Sequence, residues 1–246
     1  DAAPSIEQLR QLPLPEPVSY WPQTWGWLAL LADPGYGSDT ARAVFAEIYG
    51  HWHALPREAR PKLYLFGLSL GSLNSDLSAD FFDVIADPHQ GALWAGPPFA
   101  SRSWGDITAG RVAGSPEWLP LFRDGSVVRF MNQTQGLEEA AAPWGDFRIA
   151  FLQYASDPIT FFEPAAFWRE PEWMRAPRGP DVSPALRWYP VVTMLQLLVD
   201  LTVGSAPDGY GHEIAAEHYI DAWAALTEPD GWDAEQLQRL RDHLTR

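Results

Sequence analysis

Leu63-Tyr64-Leu65-Phe66 is an apolar run that ends on Gly67, and Gly67-Leu68-Ser69-Leu70-Gly71 continues it as Gly-x-Ser-x-Gly. A short apolar run closed by glycine reads as a buried strand over residues 62–66. The next five residues then turn the chain sharply into a helix and push the Ser69 side chain out over the sheet edge. A Cβ at either flanking glycine is expected to collide with neighbouring backbone. The new helix begins with unpaired N–H groups, and the Leu70 N–H falls where a developing oxyanion would sit. The five-residue pattern alone is a weak signal, since a glycine-rich turn with an incidental serine spells the same letters. The strand in front of it makes it strong.

The rest of the chain supplies the elements such a turn needs. Ser38, Asp39 and Thr40 are helix N-cap candidates, and Ala43, Val44, Ile48 and Trp52 follow at helical spacing, so a helix is expected to about His53. Residues 55–61 read as a linker. Phe81, Phe82, Ile85 and Ala86 suggest a helix before the turn at Asp87-Pro88. Residues 92–95 read as a second strand, ended by Gly96-Pro97-Pro98, and residues 148–152 as a third. Residues 99–145 are irregular, with Trp104, Trp118 and Trp144 spaced through them and one strand at 127–131. They read as a long Trp- and Pro-rich excursion over the active face, and residues 161–184 as a second loop of the same kind. Helices at 189–203, 214–226 and 234–244 close the chain. Strands alternating with helices place it in the α/β class, with a mainly parallel sheet flanked by helices. Its 246 residues suit one domain over 18–246 behind a polar, proline-rich arm at 1–17.

Composition removes several function classes. A net charge of −15 without a Lys/Arg cluster argues against nucleic acid as a partner and disfavours unassisted binding to anionic lipid. The absence of Cys excludes disulfides, thiolate catalysis and cysteine metal sites. His-Glu-x-x-His does not occur, and His51 and His53 point to different helix faces, so no metal is expected. No glycine-rich phosphate loop appears, and no cofactor is expected. The uncharged run at 188–199 is too short to span a bilayer. The chain starts at Asp1 with neither Met nor a signal peptide, as a mature form or an excised domain would. Thirteen Trp bring large apolar area and indole N–H groups that need partners.

A nucleophilic serine needs a base, and the base needs an orienting acid. On a strand–turn–helix serine site the chain order is Ser, then Asp or Glu, then His. Asp157 follows the 148–152 strand in Tyr154-Ala155-Ser156-Asp157-Pro158, where a short loop carries its carboxylate to the edge that bears Ser69. The competing reading is an Asp-Pro turn former, with Asp181 or Asp208 as the next acids. Of the six His, His51, His53 and His89 precede the acid and His243 lies in the last helix. His212 sits in the glycine-flanked Gly209-Tyr210-Gly211-His212 and is the expected base, whereas His218 falls within a helix and reads as structural.

At these residues the sequence resembles a known family. Residues 62–71, 91–98, 151–159, 178–190 and 211–219 look like a bacterial α/β-hydrolase family whose members often carry a separate N-terminal membrane domain. The resemblance runs from Ser19 onward. It implies an esterase-like serine hydrolase with Ser69, Asp157 and His212 as triad, acting on a small ester or lipid, with acyl transfer to an alcohol as a variant. It also implies a tether to a membrane domain, and hence a soluble domain held at a membrane. Leu68 stands where members often have Glu, making the elbow more apolar, and Leu68 and Trp104 are the expected substrate contacts. A non-catalytic hydrolase-like domain that binds a lipid or partner protein through the same cleft is the alternative. The pattern departs from the family upstream. Only 68 residues precede Ser69, with one weak strand candidate at 18–20, and neither the early strands nor a second oxyanion donor can be identified. Glu16-Pro17-Val18 resembles the lead into an early strand and Ser19-Tyr20-Trp21-Pro22 the exit from a later one. An omitted segment is the expectation, because stripping strands from that side would leave the 63–66 strand with an unpaired edge.

Overall fold

Four apolar runs pair into one parallel sheet in the computed structural model, which describes residues 35, 37–138, 140–203 and 206–244. The 1–17 arm, the strand candidate at 18–20 and the junction at 16–22 lie outside the described residues. The strands are β1 (Tyr64–Leu68), β2 (Gly91–Ala95), β3 (Val128–Met131) and β4 (Arg148–Leu152), in the spatial order β1-β2-β4-β3. Helices α1 (Ser38–Ala54), α2 (Leu70–Ser78), α3 (Phe81–Val84), α4 (Arg102–Ala109), α5 (Val192–Val203), α6 (Ala216–Thr227) and α7 (Ala234–Leu244) surround it. Parallel strands need crossovers, and the crossovers carry helices onto the sheet. No helix among the described residues is long and apolar enough to cross a membrane.

The two faces of β2 and β4 bury alternate residues, as the two-residue period of a strand demands. Ala92, Trp94 and Phe151 join Phe130 of β3 in a core with Trp104, Phe161, Met174 and Leu197. Leu93, Ala95, Ala150 and Leu152 face the other way, toward Tyr154, Ala222 and Leu226. In the first core Phe151 stacks on Phe130 with ring centroids 4.8 Å apart and meets Trp94 at 5.3 Å. β1 pairs with β2 alone among the described residues. Its outer residues Phe66 and Leu68 are 51% and 41% exposed, so this strand is not the fully buried one its composition suggests.

Three local expectations need correction. β1 runs on through Gly67 and Leu68, because Gly67 pairs with Trp94 and Leu68 with Ala95. α1 is capped by Gly37 in the left-handed region, and no side chain caps it, so Ser38 opens the helix itself. Residues 102–109 are helical although they were expected to be irregular. Arg102-Ser103-Trp104-Gly105-Asp106-Ile107-Thr108-Ala109 has poor intrinsic propensity, with Gly, Ser and β-branched residues. Burial of Trp104 and Thr108 in tertiary contact stabilises it instead.

Side-chain to backbone hydrogen bonds tie the rest of the excursion and other loops together. From β3, Arg129 donates to the carbonyls of Gly125, Leu137 and Ala142 at 2.8, 2.6 and 2.7 Å, closing three turns with one planar fork. The Trp N–H groups of 52, 118, 144 and 188 donate to backbone carbonyls of Pro61, Pro177, Val127 and Ala166. Each indole thereby ties a loop to its neighbour while its rings fill space. Phe151→Ala should empty a site with both ring partners already fixed. A loss of about 3–5 kcal/mol is expected from urea unfolding, and an unchanged midpoint would show that this core does not carry the sheet.

Candidate active site

The elbow follows from how tightly β1 turns into α2. Ser69 has φ 56° and ψ −127°, a left-handed φ that a residue with a side chain rarely adopts. A Cβ on Gly67 would lie 2.2 Å from the Gly71 carbonyl oxygen, so only glycine fits beneath the turn. The same expectation fails for Gly71, whose added Cβ would meet no described atom within 4 Å. The Ser69 carbonyl accepts from the Ser72 N–H at 2.9 Å and the Ser72 hydroxyl at 2.7 Å, which pins the first turn of α2. Leu70 is the first residue of that helix, so its N–H has no intrahelical acceptor.

The end of β2 supplies the floor. Ser69 N–H donates to the Ala95 carbonyl at 3.0 Å, and Gly96 N–H donates to the Leu152 carbonyl at 2.8 Å. Gly96 has φ +48°. A Cβ there would lie 2.7 Å from His212 Cε1 and 3.3 Å from Asp157 Oδ2, so both side chains sit directly against its bare Cα.

Asp157, on the loop after β4, is fully buried and saturated with donors. Its Oδ1 accepts from the N–H of Ile159 at 2.8 Å and of Thr160 at 3.4 Å. Its Oδ2 accepts from the Thr160 hydroxyl at 3.0 Å and pairs with His212 Nδ1 at 2.7 Å. The Asp-Pro turn is therefore real, and it aims the carboxylate. Burial by itself would push the His212 pKa down. The charge and hydrogen bond of Asp157, helped by Glu213, outweigh it and hold the imidazole above its ordinary value.

His212 rides on a turn with left-handed glycines at 209 and 211, φ +83° and +56°. Gly209 N–H donates to the Glu213 carbonyl at 2.8 Å, and Glu213 N–H to the Tyr210 carbonyl at 3.0 Å. Gln133 Nε2 donates to the Gly209 carbonyl at 2.9 Å, which ties the turn to the loop after β3. The Ala215 N–H donates to the Tyr154 hydroxyl at 3.1 Å, and that hydroxyl bonds His218 Nδ1 at 2.5 Å. His218 is thus a buried member of α6 whose pKa burial lowers. His89 is a core residue between Phe45 and Phe147, pushed down to about 4 by burial.

The structure brings Asp157 and His212 together and leaves the link to Ser69 open. His212 Nε2 is buried and has no hydrogen-bond partner among the described residues. Leu68 ends β1 with its side chain partly in solvent. Trp104, expected at the substrate, is 7% exposed, packs edge-on to Phe161 and donates its N–H to Gln153 Oε1 at 2.7 Å, all within the core. Of the reserve acids, Asp208 is exposed and Asp181 accepts from Ser156 rather than from His212. The sequence by itself does not mark Gly96, Thr160 or Ser156 as site residues. The nearest to a signal is at Thr160, since a hydroxyl three residues after a turn Asp is in reach of its carboxylate.

No curated protein and no solved structure matches the chain. The profile of the alpha/beta-hydrolase family matches residues 19–240, a span that contains the elbow, the Asp157 loop and the His212 turn. A parallel sheet carrying these three loops at one edge is the arrangement that family's fold presents, and the chain belongs to the α/β-hydrolase family.

Proposed function

We propose that the chain is a serine hydrolase that cleaves a carboxylic ester, with Ser69 as nucleophile, His212 as general base and Asp157 as the orienting acid. The observation that carries this reading is the 2.7 Å Asp157–His212 pair, which lies over Gly96, the residue after the Ala95 carbonyl that holds the Ser69 N–H, with the second imidazole nitrogen unpartnered among the described residues. His212 Nε2 accepts the Ser69 proton as Oγ attacks the ester carbonyl. The Leu70 N–H donates to the oxyanion, a contribution of about 3 kcal/mol in the transition state. The imidazolium returns the proton to the leaving alcohol, which departs and leaves an acyl-Ser69 ester. Water, deprotonated by the same nitrogen, then releases the acid and restores the hydroxyl. An alcohol in place of that water gives acyl transfer. An apolar rim at Leu68 suits the acyl part of an ester or lipid.

A second reading, a hydrolase-like domain that binds a lipid or protein without catalysis, is favoured by the open Ser69–His212 link. Catalytic hydrogen bonds are often long before substrate binds and tighten in the complex. A fluorophosphonate probe separates the two. Wild type should be labelled and Ser69→Ala should not; an unlabelled wild type that still binds lipid vesicles would support the second reading.

The pH profile tests the base. His212 works only when neutral, and its pKa lies above the ordinary value of about 6.5. The kcat/KM for p-nitrophenyl butyrate should therefore be low at acid pH and rise through a midpoint above that value. A profile flat from about pH 5 to 8 would remove His212 from the mechanism. Asp157→Asn keeps the shape of the turn but favours the wrong imidazole tautomer. Its kcat should fall about 10⁴-fold, while wild-type turnover would assign the acid role elsewhere.

A further inference from the structure

Beside the Asp157–His212 pair, Ser156 forms a short relay that neither acid nor base accounts for. The Ser156 N–H and hydroxyl both donate to Asp181 Oδ2, at 2.8 and 2.5 Å. A hydroxyl has one proton, and the carboxylate takes it. The Ser156 oxygen is left as an acceptor, and the Gly211 N–H donates to it at 2.9 Å. Gly211 immediately precedes His212 and is buried in a left-handed conformation. Asp181 is itself held close, because Gly179 packs so tightly on Ala155 that an added Cβ would lie 2.1 Å from the Ala155 Cβ.

We propose that Ser156 and Asp181 are positioning residues for the base: the Asp181 carboxylate fixes the polarity of the Ser156 hydroxyl, which grips the Gly211 N–H and sets the His212 imidazole against Asp157. The inference rests on reading His212 as the base of a hydrolase. One dipeptide, Ser156-Asp157, thus grips the base at both its ring and its backbone. The acid controls Nδ1, and the residue before it controls the peptide leading into the ring. Without the relay the turn keeps its glycines and the contacts from Gln133 and Tyr154, so the protein still folds but the ring loses its fixed approach. The charged groups acting on His212 are Asp157 from the loop after β4 and Glu213 from its own turn. Asp181 acts on it through Ser156 and Gly211.

The test compares Ser156→Ala, Ser156→Thr and Asp181→Asn with wild type in two readouts. One is steady-state hydrolysis of p-nitrophenyl butyrate. The other is the NMR titration of the His212 Cε1 proton, assigned by its loss in His212→Gln. Ser156→Ala should lower kcat about 10- to 100-fold with KM nearly unchanged, as a slightly misplaced base does. The His212 midpoint should fall toward the ordinary value as the ring loosens from Asp157, and Ser156→Thr should restore both. Asp181→Asn should move both readouts in the same direction, and it carries the test if Ser156→Ala does not fold. Wild-type kcat and midpoint in either folded variant, or a defect that Ser156→Thr does not repair, would overturn the proposal. If wild type neither hydrolyses the ester nor takes a fluorophosphonate, the reading of the site has failed. The titration midpoint then decides the positioning role alone.

Discussion

The parallel hydrogen-bond ladder does not stop where the strands do. One residue beyond β1, β2 and β4 it continues: Ser69 N–H to the Ala95 carbonyl, Gly96 N–H to the Leu152 carbonyl, and Gln153 N–H to the Met131 carbonyl. These bonds satisfy groups that would otherwise be orphaned at a buried sheet edge. They also carry the register of the sheet into the loops, so the elbow, the floor and the start of the Asp157 loop are placed relative to one another by backbone alone. Side chains then need to travel only a short way to meet at Gly96. Ligand and catalytic sites gather at the carboxyl edge of parallel sheets for this kind of reason.

Strain and glycine are distributed accordingly. The one residue with a side chain that takes a left-handed φ at the elbow is Ser69, and it is supported by a glycine beneath it and by the Ala95 and Ser72 bonds. The surrounding structure over-determines that conformation, which is the condition under which strained residues persist. Across the edge, Asp157 has its acceptor positions filled by Ile159, Thr160 and His212. The Asp157 carboxylate, hydrogen-bonded to the ring, holds the His212 imidazole above its ordinary pKa despite burial. The bonds that fix the Asp157 carboxylate thus also place it where it raises the basicity of His212.

β1 leads into Ser69 and is one of the two edge strands among the described residues, β3 being the other. Its Phe66 touches Tyr219 and Trp223 of α6 at ring-centroid distances of 5.9 Å each, yet half its surface remains in solvent. An edge strand with exposed apolar side chains is a pairing surface. At the opposite edge β3 buries Val128, Phe130 and Met131, so the exposed apolar edge is the β1 one.

Local sequence determined the strands at β2 and β4, the helices at α1, α6 and α7, and the strand–turn–helix at Ser69, because their periodicity and glycine placement admit few alternatives. It also determined the order Ser69, Asp157, His212 and the glycine-flanked turn that delivers the imidazole to Asp157. What it left open depends on groups far apart in the chain. The helix at Arg102–Ala109 exists because Trp104 finds Gln153 and Phe161, and the same contacts draw Trp104 into the core rather than to a substrate. Gly96, read locally as a strand stop, became the floor of the site only when residues 157 and 212 met above it. Asp181 could be an acid or a bystander on sequence grounds, and the fold bound it to Ser156. Covalent neighbours and periodicity act over a few residues and are written in the sequence. The pairing of a buried polar atom depends on which distant donor reaches it first, and only the tertiary structure decides that.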